Sequence, residues 1–194
     1  MRTDDSGPDA HVAAVCGVLD VPAIRAGRFK VVLDSINGAG CVEGRQLLQR
    51  LGCRLVHVNG DPTGEFAHAP EPAAENLTDL CRQVAEESAD VGFAQDPDAD
   101  RLAIVDERGG YLGEEYTVTL ASAFVLRHRR GDLATNLSTT RMMDDVAARA
   151  GVRLHRTPVG EANVVAAMRE CGCVFGGEGG GGAIDPRVVC VRNS

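Results

Sequence analysis

The chain has no CxxC pair among its seven cysteines, no surplus of positive charge, and no apolar run long enough to cross a membrane. Each absence narrows the field. Cysteines at 16, 41, 53, 81, 171, 173 and 190 are odd in number and suit neither a disulfide framework nor a zinc site, so reduced thiols are expected. Cys171-Gly172-Cys173 is the one close spacing, and packing of small residues accounts for it. A net charge of −8 argues against nucleic acid and against an anionic membrane as partners. The opening MRTDDSG is acidic where a secretory leader needs a basic start. The 194 residues, 44% hydrophobic and 25% charged, therefore predict a soluble, cytoplasmic globular protein with material for one large or two small cores.

What is present centres on Asp96-Pro97-Asp98-Ala99-Asp100-Arg101. Residues 89–95 and 102–106 are short apolar runs, the second ending at the turn signal Glu107-Arg108-Gly109-Gly110, so the acidic hexapeptide reads as a loop between two strands. Three carboxylates at a spacing of two converge from that loop. Holding them together is costly unless a cation intervenes, and oxygen donors without His or Cys suit magnesium or calcium. Arg101 adds a fixed positive group beside them, and a cation with an arginine suits the handling of a phosphoryl group. A plain solvated turn is the bland alternative, since Asp favours turns. An EF-hand is not: its sixth position needs Gly and here is Arg101, and the flanks read as strands.

Along the chain, residues 1–8 are polar with Gly7 and Pro8 and predict disorder, followed by a helix over 10–19 that closes before Pro22. A strand is expected at 30–34, a glycine turn at 35–40 (SINGAG), a helix at 42–51 stopped by Gly52, and a strand at 54–58. Residues 59–72 are loop, 73–88 a helix, and 114–128 another helix. Past the charged joint at 128–132 the pattern restarts: strand 132–137, turn 138–140, helix 141–150, strand 153–156, helix 161–171, strand 173–175, then the run Gly176-Gly177-Glu178-Gly179-Gly180-Gly181-Gly182, with Val188-Val189-Cys190-Val191 as a last apolar strand. Gly38-Ala39-Gly40 invites a dinucleotide reading, which fails because Glu43 stands where the third glycine belongs and no acidic residue closes the strand at 54–58. In the second glycine run, flexible backbone around one carboxylate suits close approach to a ligand, with Glu178 accepting hydroxyl protons from a sugar.

DPDADR after an apolar strand resembles the metal loop of the alpha-D-phosphohexomutases, the group containing phosphoglucomutase, phosphomannomutase and phosphoglucosamine mutase. SINGAG, the PEP within HAPEP, TPVG and GGEGGGG follow the family's order across residues 29–187. The resemblance implies an α/β fold of two consecutive α/β/α sandwich units with mixed, mainly parallel sheets, the second truncated. Residues 1–28 would be the tail of a preceding domain or disordered, 29–128 domain II with the metal loop, and 129–194 a truncated domain III with the sugar-binding loop. It implies Mg2+ on Asp96, Asp98 and Asp100, a catalytic role for Arg101, and substrate contacts from Glu178, Gly180, Arg141 and Gly160. The substrate would be a hexose phosphate whose phosphate moves between C1 and C6, with phosphoglucosamine or phosphomannose as the sugars expected. Three positions depart from the pattern: Gly180 and Gly182 stand where many members have Ser and His, and Glu161 where many have His.

No threonine-alanine-serine-histidine-asparagine-proline element occurs in the chain, so the family's phosphoserine has no counterpart here. The expectation is thus a mutase fragment inactive by itself, the alternative being a non-enzymatic magnesium or sugar-phosphate binding module. Members of the family continue after residues 188–191 into a further helix; without it one apolar face of the second sheet would stay in water, which predicts faster amide exchange after about residue 130 than over 29–127, and self-association through the second unit.

Overall fold

The computed structural model describes residues 7–193, which form two compact units. Two helices, α1 (Gly7–Val18) and α2 (Val21–Gly27), come first. Asp20 caps α2 by accepting from the Ala23 amide at 3.1 Å, and Pro22 occupies the first turn, where its missing N–H costs nothing. Gly7 and Pro8 are therefore helical, contrary to the disorder expected of them; residues 1–6 lie outside the described part. Val12 is buried and Arg25 donates to the Arg50 carbonyl through Nε at 2.9 Å and Nη2 at 2.6 Å. These helices belong to the first unit, where the tail of a preceding domain or disorder was expected.

The first unit continues with β1 (Lys30–Asp34), α3 (Cys41–Arg50), β2 (Arg54–Val58), a 3-10 turn at Ala74–Asn76, α4 (Thr78–Glu86), β3 (Val91–Gln95) and β4 (Leu102–Val105). Strand order is β2-β1-β3-β4, with β1 parallel to both neighbours. Alternation along β1 and β3 splits the apolar residues between two faces. Val31 and Leu33, with Val91 and Phe93, cluster with Leu48 of α3. Leu80 and Val84 of α4, both fully buried, cover the opposite face, and a Cβ at Gly92 would lie 2.5 Å from Val84 Cγ2. The single helix expected over 73–88 breaks at Leu77, where a 3-10 turn gives way to α4. Tyr111 Oη donates to the Pro72 carbonyl at 2.9 Å and ties the PEP segment to this unit.

The second unit holds α5 (Glu115–His128), β5 (Leu133–Asn136), α6 (Met142–Ala150), β6 (Leu154–Thr157), α7 (Glu161–Cys171), β7 (Phe175–Glu178) and β8 (Gly182–Ile184), together with residues 100–103. Its order, β6-β5-β7-β8, repeats that of the first sheet. β5 is parallel to β6 and β7, and β8 is antiparallel to β7. Leu133 and Phe175 pack with Val118 of α5 and with Met143 and Ala147 of α6, whereas Ala134 and Ile184 pack with Val164 and Met168 of α7. Consecutive residues of β5 thus serve opposite layers, as a sheet buried on both faces requires.

Five expectations change here. The helix expected at 114–128 in the first unit packs in the second, because its buried stripe of Thr117, Val118 and Ser122 meets the second core. With α5 and α6 on one face and α7 on the other, the bare sheet face inferred from the sequence does not arise. The glycine run is mostly strand, β7 and β8 joined by a three-residue turn, and the strand expected at 173–175 begins only at Phe175. Residues 188–191 form no strand; the one pairing near them is an isolated bridge between Ala183 and Asn193.

Burial raises the thiol pKa of Cys41, Cys53 and Cys81 and pushes that of Cys173 up to about 11, so these stay protonated packing groups. Arg156 braces the turn after β5, donating to the Asn136 and Thr139 carbonyls at 2.9 Å, the Thr140 carbonyl at 3.0 Å and Asp144 Oδ2 at 2.6 Å. Its guanidinium holds the Asp144 carboxyl below the usual carboxylate range.

Leu80→Ala should cost roughly 2–5 kcal/mol in urea unfolding, since it empties a fully buried position. Asp144→Asn should lower the melting temperature at neutral pH. A depressed carboxyl contributes its stability above the unfolded value of about 4 and loses it as pH falls through the folded value. The melting curves of parent and variant should therefore converge in acid; a gap constant between pH 7 and pH 3 would contradict the ion pair's role.

Candidate functional site

The acidic loop is six residues between the end of β3 and the start of β4. It closes tightly: the Ala99 amide donates to the Asp96 carbonyl at 3.0 Å, and Ala99 itself is left-handed at φ 58°. That conformation costs a non-glycine residue roughly 1 kcal/mol, and the surrounding packing maintains it. Asp96 is buried and Asp98 exposed, yet one oxygen from each of Asp96, Asp98 and Asp100 lies within 4.8 Å of the others. Three carboxylate oxygens with no nitrogen or sulfur donor form a set suited to a hard divalent cation, so the residues fit magnesium.

A second turn supports this loop from behind. After β1, Ile36 and Asn37 are both left-handed at φ 48° and 57°, and Asp34 Oδ1 fastens the turn by accepting from the Ile36 amide at 2.9 Å and Asn59 Nδ2 at 3.0 Å. The Ala39 amide then donates to the Pro97 carbonyl at 2.8 Å. A Cβ at Gly38 would lie 2.5 Å from that carbonyl oxygen, and one at Gly40 2.8 Å from Ala99 Cβ. The glycines of SINGAG thus let two backbones meet. From the same turn Ser35 Oγ donates to Gln95 Oε1 at 2.9 Å and meets His57 Nε2 at 2.9 Å, while Arg45 Nε donates to His57 Nδ1 at 3.2 Å. Burial and then the Arg45 charge lower the His57 pKa, which keeps the imidazole neutral with its proton on Nε2. The chain of contacts fixes Gln95, next to Asp96.

Glu178 ends β7, where it pairs with Gly182 across the hairpin and is only 7% exposed. Its Oε1 accepts from Asn136 Nδ2 at 2.6 Å and its Oε2 meets Arg192 Nη1 at 3.1 Å. Asn136 is oriented in turn, its Oδ1 accepting from Ser138 Oγ at 2.9 Å and Thr139 Oγ1 at 2.8 Å. Thr139 Oγ1 also accepts from the Gly179 amide at 2.9 Å. Gly179 itself is crowded, since a Cβ there would come within 2.2 Å of Glu115 Oε1.

Arg192 stands among three carboxylates. Besides Glu178 it pairs through Nη2 with Asp100 Oδ2, and its Nε lies 3.6 Å from Glu161 Oε2. Arg101 Nε is 3.9 Å from Asp100 Oδ1, and a Cβ at Gly180 would be 3.4 Å from Arg101 Cδ. Of the residues expected from sequence, Asp100, Arg101, Glu178 and Gly180 therefore meet within the second unit. Arg141 is exposed at the start of α6, and Gly160 precedes α7 at φ 120°, a conformation favouring glycine. Neither touches Glu178; their neighbours Thr139 and Glu161 reach the same network. Sequence reading missed Asn136, Arg192 and the part played by Glu161. No motif marks the first two.

Residues 9–110 match the family described as Phosphoglucomutase/phosphomannomutase, alpha/beta/alpha domain II, and residues 113–192 match its alpha/beta/alpha domain III. A "Phosphoglucomutase/phosphomannomutase" of Thermococcus kodakarensis is 40% identical over 185 residues, covering 94% of this chain and 41% of the relative. A "Probable phosphoglucosamine mutase" of Methanopyrus kandleri is 36% identical, covering 95% of this chain and 41% of its own length. The solved structure of a putative phosphomannomutase from Thermus thermophilus superposes with a TM-score of 0.85 at 26% identity, over 96% of this chain and 44% of that one. The chain thus spans about two fifths of the length of these relatives. With both family domains matched in order and the acidic loop and glutamate turn placed on them, the chain belongs to the phosphoglucomutase/phosphomannomutase family, of which it carries domains II and III.

Proposed function

We propose that this chain supplies the magnesium loop and the sugar-binding turn of a phosphohexomutase that interconverts hexose 1- and 6-phosphates, with glucosamine or mannose phosphate as substrate. The observation that carries the reading is the guanidinium of Arg192, which joins Asp100 of the acidic loop to Glu178 of the glycine turn. The names of the relatives support the substrate class. Asp96, Asp98 and Asp100 would hold Mg2+, which when bound draws negative charge from a phosphoryl group. Arg101 stands beside Asp100 and offers a second cationic group toward the same phosphate. Glu178 keeps lone pairs free beyond its Asn136 and Arg192 contacts and would accept from two sugar hydroxyls, while Gly180 leaves room for the ring. Arg141 and Gly160 would be further substrate contacts. Work of this kind consists of positioning and charge stabilisation. A phosphorylated sugar is a cytoplasmic metabolite, and all seven thiols are free, as suits that compartment.

The reading places the phosphoryl-carrying serine outside these residues. Ser35 and Ser122 are fully buried, and Ser138 Oγ is committed to Asn136. None is poised as a nucleophile. The chain alone should therefore show no turnover of glucosamine, mannose or glucose phosphates in a coupled assay with Mg2+; measurable turnover would sink this assignment. Calorimetry should detect one Mg2+ per chain, and Asp98→Asn should weaken it by roughly tenfold or more through loss of an anionic oxygen donor. Equal affinity in parent and variant would remove the loop from metal binding.

A further inference from the structure

Arg192 is fixed at both ends. Its backbone amide donates to Glu161 Oε1 at 2.5 Å, and the next residue, Asn193, donates its amide to the Ala183 carbonyl at 3.0 Å. The side chain then runs across β8 at Gly182, where a Cβ would lie 2.4 Å from Arg192 Cδ and 2.8 Å from its Cγ. Only a residue without a side chain leaves this path open. At the far end the guanidinium divides itself between Asp100 and Glu178, while the buried Nε has no hydrogen-bond acceptor, Glu161 Oε2 standing off at 3.6 Å. Arginine suits this task because its planar fork serves two carboxylates at once in a set geometry.

We propose that Arg192 is a positioning residue: by holding one oxygen of Asp100 and one of Glu178, it makes cation binding at the acidic loop depend on the carboxylate of the glycine turn. The proposal rests on the reading of Asp96, Asp98 and Asp100 as magnesium ligands. With Oδ2 held by Arg192, Asp100 presents Oδ1 in a fixed direction, as carboxylates that ligate metals are commonly oriented by an outer hydrogen bond. Glu178 anchors the same guanidinium through Nη1, so it fixes the direction from which Arg192 holds Asp100. Loss of the Glu178 charge therefore loosens the guanidinium and, with it, the orientation of Asp100 toward the cation. Such coupling is reciprocal, so bound Mg2+ steadies Arg192 between Asp100 and Glu178.

The test is calorimetric titration of the whole chain with Mg2+, with far-UV circular dichroism as the check on folding. Arg192→Met should weaken Mg2+ about tenfold by removing the orienting contact. Arg192→Lys keeps the charge without the fork and should remain weak. Glu178→Gln should weaken Mg2+ by roughly threefold in the parent and by less than about half of that in the Arg192→Met background, because the path through Arg192 is then gone. A direct through-space effect of the Glu178 charge would instead be the same in both backgrounds and would overturn the coupling. Tighter or unchanged Mg2+ binding in Arg192→Met, or full rescue by Arg192→Lys, would overturn the positioning role. If Arg192→Met does not fold, Arg192→Lys and Glu178→Gln decide alone, and unchanged affinity in Glu178→Gln refutes the proposal. A parent chain that binds no Mg2+ is a separate result, which refutes the magnesium reading and this inference with it.

Discussion

Mutual repulsion of carboxylates is the constraint on which the site depends. Asp96, Asp98 and Asp100 place oxygens within 4.8 Å of one another. Two like charges at that distance repel by about 3 kcal/mol at an effective dielectric of about 20. Glu178 and Glu161 add to the negative field around Asp100 through the shared arginine. Two guanidiniums, Arg101 and Arg192, offset part of it, and a divalent cation is the natural complement for the rest. The same charges that make the site expensive to fold form a donor set suited to a hard cation.

Such crowding is possible only because backbone is brought unusually close to backbone. Gly38 and Gly40 let the turn after β1 back the acidic loop, and Gly182 lets Arg192 cross β8. Ala99, Ile36 and Asn37 hold left-handed conformations at the same place, local strain that the surrounding hydrogen bonds sustain. The neutral His57, held by Arg45, carries this bracing through Ser35 to Gln95. The placement of the acidic loop is therefore a property of two turns locked to each other more than of either turn alone.

The two sheets repeat one plan. In each, the first strand of the unit runs centrally between two parallel partners, and its alternate residues feed two helical layers. The acidic loop and the glutamate turn both follow the third strand of their unit, so the repeated topology delivers a candidate functional loop to the equivalent position twice. Fold and site are linked through this feature, since a strand end is where the chain leaves the core and its side chains become available.

Local order was legible in the residues themselves. The strands at Lys30–Asp34 and Arg54–Val58 and the helix at Glu161–Cys171 lie where apolar runs bounded by glycine and charge put them. The gathering of the three aspartates, whose oxygens lie within 4.8 Å of one another, was legible too, because acids at alternate positions of one tight loop cannot lie far apart. Long-range choices were not. The apolar stripe of α5 suits either core, and only packing against Leu133, Met143 and Phe175 assigns it to the second unit. Residues 188–191 carry strand-forming side chains without a partner strand to pair with. Arg192 looked like an ordinary polar residue near the end of the sequence; its meaning arises from Asp100, 92 positions away. Short-range periodicity and spacing are written in neighbouring residues, whereas the choice among equally apolar partners, and the gathering of charges from distant segments, is made only when the sheets close.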